Sequence, residues 1–140
     1  MQQPRGTVLL VDGDVPRAER LSSRLTSLGF EVRLADNGAM GLLKVHERRP
    51  DAVLIAAELP ILDGYRMLDA LRSQAQTCDI PAILLTEGNS NRELAQGWSA
   101  GADLCIPRSH GEAEVVSTLQ RALMGLRHWE PVPQAVALVS

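Results

Sequence analysis

Five short, mainly aliphatic runs are spaced along the chain, at residues 8–11, 32–35, 52–57, 82–85 and 104–106. Runs of this length that are rich in Val, Ile and Leu predict β-strands. The strongest three are apolar at every position, whereas a half-buried strand alternates apolar and polar residues. Continuous apolar strands are typical of a parallel sheet that is covered on both faces.

Between these runs, apolar residues recur at helical spacing. Ala18, Leu21 and Leu25 predict a helix that Gly29 ends, and a second helix around residues 39–43 precedes Pro50. Further helices are predicted over residues 64–76, 91–100 and 112–127. Strict alternation of five strands with five helices predicts an α/β fold with a doubly wound open sheet, because a barrel would need about eight such units.

Composition narrows the class of protein. The 140 residues suffice for one ordinary domain, with residues 128–140 predicted as a tail or linker stub that carries Pro131 and Pro133 before an apolar end. A net charge of -3 and 3% aromatic residues argue against direct nucleic-acid binding.

The apolar runs are too short for a membrane span, and no signal peptide is evident, so we expect a cytoplasmic protein without membrane insertion. Cys78 and Cys105 form no metal-binding or disulfide pattern.

Five sequence blocks occur in a recognisable order: VLLVDGD at 8–14, PDAVLI at 50–55, LPILDG at 59–64, IPAILLT at 80–86 and AGAD at 100–103. Together they resemble the bacterial response-regulator receiver domain. The resemblance implies a flavodoxin-like, three-layer (βα)5 sandwich with a parallel sheet of order 2-1-3-4-5. It also implies a receiver domain over residues 7–127.

The resemblance further implies a phosphorylation site at the carboxyl ends of the strands. The family's phosphoacceptor Asp is replaced here by Ala56, whose methyl group has no oxygen that could attack a phosphoryl donor. The acidic pair that holds Mg²⁺ falls on Asp12 and Gly13, so two carboxylate ligands of a hard cation are missing. Asp14, at a third position that is often acidic in the family, is expected to cap the first helix, with metal binding as its alternative role. We therefore expect no metal site and no cofactor.

The remaining positions of this site also depart from the family. Thr86 matches the hydroxyl residue, but Glu87 replaces the small residue that follows it. Arg108 replaces the family's Lys, and its planar guanidinium is expected to pair with Asp12 or Glu58 in the vacated pocket.

Two further replacements affect the fifth strand and its loop. Cys105 replaces the aromatic switch residue, and Ser109 replaces a Pro that is typically cis, so we expect a trans peptide bond there. The predicted degenerate phosphorylation site comprises Asp12, Gly13, Asp14, Ala56, Glu58, Thr86, Glu87, Cys105, Arg108 and Ser109.

The blocks that build the scaffold are present while the reactive positions are replaced together. This combination predicts a pseudo-receiver, a non-enzymatic module of two-component signalling that acts by protein contact without phosphorylation. Its partner-binding face is expected on the fourth helix, fifth strand and fifth helix, where Trp98 is the predicted anchor; a homodimer is a further use of this face. The residues assigned to it are Glu93, Gln96, Trp98, Ile106, Ser109, His110 and Glu112.

Two other functions are compatible with the same residues. The first is a phosphorylatable receiver that uses Glu58, Asp12 or Thr86 as a substitute acceptor. The second is a small-molecule or redox sensor that uses the emptied pocket around Ala56 and Cys105.

Overall fold

The computed structural model describes residues 5–124. Five parallel strands form one sheet of order β2-β1-β3-β4-β5, which confirms the predicted doubly wound α/β fold. The strands are β1 (Thr7–Val11), β2 (Glu31–Ala35), β3 (Ala52–Ala56), β4 (Ala82–Thr86) and β5 (Leu104–Pro107). The helices are α1 (Val15–Ser27), α2 (Gly38–Glu47), α3 (Gly64–Arg72), α4 (Asn91–Ala100) and α5 (Glu112–Leu123), with a short 3₁₀ helix at Arg108–His110.

The core lies in two layers, one on each face of the sheet. Alternate residues of a strand point to opposite faces, so Leu10 and Leu54 pack under α1 and α5, whereas Leu9 and Val53 pack under the helices of the other face. Burial on both sides explains why the central strands are apolar except for Thr7 and Thr86 at the ends of β1 and β4. The result is the expected three-layer sandwich.

The predicted third helix was too long. It ends at Arg72 rather than at residue 76, because the chain turns back over residues 73–79. The buried Thr77 hydroxyl donates to the carbonyl of Leu71 at 2.6 Å, and the Arg72 guanidinium donates to the carbonyl of Ile80 at 2.7 Å. The Thr77 hydroxyl thus satisfies a carbonyl of the last turn of α3, and the Arg72 guanidinium holds the returning chain before β4.

Two other bounds differ from the sequence prediction. β3 ends at Ala56, so Ala57 belongs to the following loop. The described part of α5 ends at Leu123, and the predicted continuation to residue 127 and the tail at 128–140 lie outside the described residues.

The carboxyl ends of β1, β3, β4 and β5 bring four loops together at one edge of the sheet. Three of these loops lead into helices whose first turns are capped by side chains. Asp14 accepts a hydrogen bond from the Arg17 amide at 3.1 Å, as the sequence predicted, and Asp63 does the same for the Arg66 amide at 2.9 Å. Ser90 and Glu93 form a reciprocal capping box at the start of α4. The loops are therefore tied to rigid elements.

Candidate functional site

Asp12 is a carboxylate at the end of β1 that is only 3% exposed to solvent. Arg17 binds it through two parallel hydrogen bonds, from Nε to Oδ2 at 3.0 Å and from Nη2 to Oδ1 at 2.9 Å. Arg108 Nη2 donates to Oδ2 at 3.0 Å, and the Asp14 amide donates to Oδ1 at 3.0 Å. Each carboxylate oxygen therefore receives two donors, so this buried charge is fully paired.

These donors determine the protonation of Asp12. Burial raises the pKa of Asp12, but the hydrogen bonds from Arg17 and the Asp14 amide, with the charges of Arg108 and Arg17, hold it below its ordinary value. The hydrogen bond to Asp12 likewise raises the pKa of Arg17. Asp12 is thus a stable anion and Arg17 a stable cation at neutral pH.

A second carboxylate extends this cluster. Glu87, the first residue after β4, accepts a hydrogen bond from Arg108 Nε at 3.3 Å, and its Oε2 lies 3.8 Å from Arg17 Nη2. Each arginine therefore contacts both carboxylates. We call Asp12, Arg17, Glu87 and Arg108 the arginine–carboxylate tetrad.

The tetrad joins four separate elements. Arg17 comes from the first turn of α1, and Arg108 comes from the 3₁₀ helix after β5. The predicted contact of Arg108 with Asp12 is present, and its second carboxylate partner is Glu87 rather than Glu58. Glu58 is exposed and lines an open cleft with Arg17 and Glu87.

Sequence reasoning missed Arg17. Its position in the first helical turn, five residues after Asp12, lets its side chain reach back over the end of β1. The five-residue spacing from Asp12 is the sequence feature that indicates this contact. A lone Arg on a helix is, however, usually exposed to solvent, so the sequence alone does not single it out.

Four other predicted site residues, Ala56, Thr86, Cys105 and Ser109, lie outside the tetrad. Ala56 is fully buried at the end of β3, and the Thr86 hydroxyl, also fully buried, donates to the carbonyl of Gly88 at 2.6 Å. Burial raises the pKa of Cys105 to about 12. Ser109 is exposed in the 3₁₀ helix, and the described residues contain no cis peptide bond.

The side chains present do not fit the Mg²⁺ ion that the family resemblance implies. Gly13 and Ala56 offer no ligand, and both oxygens of Asp12 already face guanidinium groups. Within residues 5–124, no group of three His, Cys, Asp or Glu side chains could hold a metal ion. A divalent cation near Asp12 would have to displace two like charges.

The predicted partner face is exposed in part. Trp98 is 47% exposed on α4, Gln96, Ser109 and His110 are exposed, and Glu112 is half-buried. Glu93 is half-buried, and its carboxylate is used for capping α4.

Assigning Ile106 to the partner face was wrong, because its side chain is 1% exposed. Ile106 is the residue of β5 that points toward α1 and α5, where it belongs to the same core cluster as Val115 and Val116. Its neighbour Cys105 points to the opposite face of the sheet, toward Gly97 of α4.

Comparison with known proteins defines the class. Residues 8–120 match the model of the response regulator receiver domain, and the chain belongs to that family. The response regulator MprA from a Mycobacterium species is 34% identical over 131 residues, which is 94% of this chain and 56% of that protein. The chain spans about half the length of the curated relatives it matches.

Solved structures agree with the fold. A response regulator from Chloroflexus aurantiacus superposes with a TM-score of 0.82 at 30% identity, covering 87% of this chain and 99% of that one. The receiver domain of a Pseudomonas aeruginosa sensor histidine kinase gives a TM-score of 0.78 at 28% identity, covering 84% and 97%. That structure holds a magnesium ion in its active site cleft. Among the residues described for this chain, no helix is long and apolar enough to span a membrane.

Proposed function

We propose that this chain is a pseudo-receiver, a signalling module of two-component type that acts by protein contact without being phosphorylated. The observation that carries the proposal is the tetrad, in which the chain's own arginines bind Asp12 at the site where the family binds metal and phosphoryl groups. The signalling class follows from the family, and phosphorylation independence is the step proposed here.

The chemistry of phosphoryl transfer supports this proposal. The reaction needs an oxygen nucleophile in line with the donor and cations that neutralise the transferred group. Ala56 supplies no nucleophile, and the Thr86 hydroxyl is buried and bound to Gly88. Asp12 is the buried carboxylate of the site, and attack by it would require breaking its ion pairs with Arg17 and Arg108.

The proposed contact face lies on α4 and around the start of α5. Trp98 supplies the largest exposed apolar surface of α4, and aromatic residues of this kind are enriched among interface hot spots. Gln96 supplies an exposed polar group on the same helix, and Ser109 and His110 supply exposed polar groups just before α5. The partner that we propose for this face is another signalling protein, and a second copy of this chain is the alternative. We propose no direct contact with nucleic acid.

Trp98 has a matched control for this face. Leu43 on α2 is 53% exposed, similar to the 47% of Trp98, but lies on a different helix. If the proposed face binds the partner, Trp98→Ala should abolish retention of that protein on the immobilised chain, whereas Leu43→Ala should leave retention unchanged.

A substitute acceptor is the second candidate function. Glu58 is the exposed carboxylate of the open cleft beside Arg17, so a phosphoryl donor could approach it without disturbing the core. A redox role for Cys105 has less support, because a pKa of about 12 keeps its thiol protonated at neutral pH and the thiolate is the reactive form.

Incubation with acetyl phosphate and Mg²⁺, followed by intact mass measurement, tests the proposal. We expect no phosphoryl adduct on the wild-type chain under conditions that modify a positive-control receiver domain carrying the acceptor Asp. An adduct that disappears in Glu58→Gln but persists in the matched variant Glu47→Gln would establish the substitute acceptor and overturn the proposal.

A further inference from the structure

We propose that the tetrad is a permanent internal substitute for a metal-bound, phosphorylated site, with Arg17 in the role of the divalent cation and Glu87 in the role of the phosphoryl group. This inference rests on the proposed function and adds how the β4–α4 loop is held. It starts from the disagreement between the side chains at Asp12 and the Mg²⁺ ligands that the family resemblance implies.

The first step concerns Arg17. Asp12 is the remaining member of the acidic pair, and a positive group is bound to both of its oxygens. The Nε and Nη2 donors of Arg17 form a planar fork that matches a carboxylate, so the charge is held in a defined position. Arg17 is covalently part of α1, and its positive charge is therefore present at every cation concentration.

The second step concerns Glu87. An anion at this site needs cationic partners from two sides, and the Glu87 carboxylate has Arg108 from the end of β5 and Arg17 from α1. Glu87 directly follows Thr86, the last residue of β4, so its backbone belongs to the loop that leads into α4. Binding of its side chain therefore restrains that loop.

The third step connects this loop to α4 through a series of hydrogen bonds. The Thr86 hydroxyl donates to the carbonyl of Gly88, and the Gly88 amide donates to Glu93 Oε2 at 3.3 Å. Glu93 and Ser90 form the capping box that starts α4. The helix that carries Trp98 is thus connected to the tetrad at its first turn.

The charge balance supports a permanent state. Two guanidinium groups face the two carboxylates of the tetrad, and Asp14 Oδ2 lies a further 3.9 Å from Arg17 Nη1, so both arginine charges are paired without any added ion. A further anion would compete with Glu87, and a further cation would compete with Arg17. A ligand shifts a conformational equilibrium only by its differential affinity for the two states, and here the chain's own arginines and carboxylates already bind one another.

Hydrogen–deuterium exchange of the full chain tests the inference. Glu87→Gln keeps the size of the side chain and removes its charge. We expect amides of residues 87–94 to exchange about threefold to tenfold faster in this variant, because the ion pairs that restrain the loop are lost. Amides of β3 in the core should keep their wild-type rates, which separates local release from global destabilisation.

Two further variants define the outcome. Arg17→Gln should accelerate exchange in the same residues 87–94, although Arg17 lies on α1. The control is Glu47→Gln, which removes the charge of an exposed α2 residue that pairs with Arg33 of β2, and it should leave this exchange unchanged. Unchanged exchange of residues 87–94 in Glu87→Gln would overturn the inference and leave the proposed function intact. Phosphorylation of the wild-type chain by acetyl phosphate would instead overturn the proposed function.

Discussion

At the scale of single residues, Asp12 combines near-complete burial with four hydrogen-bond donors. Its folded pKa lies below its ordinary value, although burial alone would raise it, because the Arg17 and Asp14 hydrogen bonds and the two arginine charges favour the anion. A depressed folded pKa contributes stability above the unfolded pKa, which is about 3.9 for Asp. That contribution is lost as the pH falls through the folded pKa.

We therefore predict that Asp12→Asn destabilises the domain by about 1–3 kcal/mol at pH 7, because two half-buried guanidinium groups lose a buried anionic partner. The difference in the free energy of unfolding between the two chains should shrink as the pH falls below about 4. Urea unfolding of both chains across this pH range is the measurement. Asp69→Asn, at an exposed position of α3, is the control that should follow the wild type. A constant difference at all pH values would contradict this account.

Ile61 has a strained backbone conformation. It is the non-glycine residue with positive φ among those described, at 70°, and it is 82% exposed. The Leu62 amide donates to the Pro60 carbonyl at 2.7 Å, so Ile61 is the centre of a tight three-residue turn. A β-branched side chain is disfavoured in this conformation, and exposure leaves it little packing energy in return.

Replacing Ile61 with Gly should stabilise the domain by about 0.5–1 kcal/mol, because relief of the backbone strain exceeds the entropy that glycine gains in the unfolded chain. The midpoint of urea unfolding reports the change. Ile61→Ala should stabilise less, since alanine keeps a β-carbon. A Gly variant with a lower midpoint than wild type would show that the Ile61 side chain makes a favourable contact.

At the scale of elements, α4 lies close to the sheet because Gly97 faces it. A β-carbon at Gly97 would overlap Cys105 Sγ and approach Leu84 Cδ2 to 2.9 Å. Gly97 is therefore a position of close helix–sheet approach, and Cys105 is the residue of β5 that fills the space beneath it.

Gly97→Ala should destabilise the domain by about 1–3 kcal/mol, because the added methyl group must move α4 or distort two side chains. The double variant Gly97→Ala with Cys105→Ala should recover part of this loss, since the sulfur is the nearest obstruction. Thermal unfolding of both variants, compared with Cys105→Ala alone, measures the coupling. Simple additivity of the two effects would mean that the helix does not rest on Cys105.

The elements themselves could be predicted from apolar spacing, but their ends could not. The three central strands follow from continuous aliphatic runs, because burial on both faces leaves polar residues only at their ends, whereas β2, which contains Arg33, and β5 follow from weaker runs. The end of α3 depends on a buried hydroxyl, that of Thr77, which is five residues past the last helical position. A single polar residue within an otherwise helical pattern does not indicate such a contact.

At the scale of the whole molecule, the family's motif positions named Asp12, Glu87 and Arg108 and the Arg108–Asp12 contact, but not Arg17 or the pairing of Glu87 with the arginines. Arg108 was found because the motif assigns a cation to its position. Arg17 belongs to no motif, and its contact with Asp12 depends on the angle at which α1 leaves β1. Ile106 was misassigned because the burial of a strand residue depends on which face it meets, and a short apolar run does not show that.

Restoring a phosphoacceptor Asp at position 56 tests whether the tetrad hinders phosphorylation. Ala56→Asp alone should be phosphorylated poorly by acetyl phosphate, because Arg17 and Arg108 still hold Asp12 and Glu87 still pairs with both arginines. Adding Gly13→Asp, Arg17→Ala and Glu87→Ala should increase the phosphorylated fraction at least about tenfold, since metal ligands are then free. Intact mass after equal incubation measures both. Equal phosphorylation of the single and combined variants would mean that the tetrad does not hinder the chemistry.

β2 is an edge strand of the sheet, and the way its outer backbone groups are bonded affects aggregation between molecules. The Glu31 amide and the Ala35 carbonyl bond toward the β1 side, so the intervening Leu34 carbonyl faces outward from β2. Lys44 Nζ donates to that carbonyl at 2.8 Å, and Arg33 donates to the carbonyls of Lys44 and Arg48 beside it. An unprotected edge strand is a template for pairing with a strand of another chain. Because Lys44 holds the Leu34 acceptor, a strand from a neighbouring molecule would have to displace an ammonium group before it could pair there, which disfavours edge-to-edge aggregation at high protein concentration.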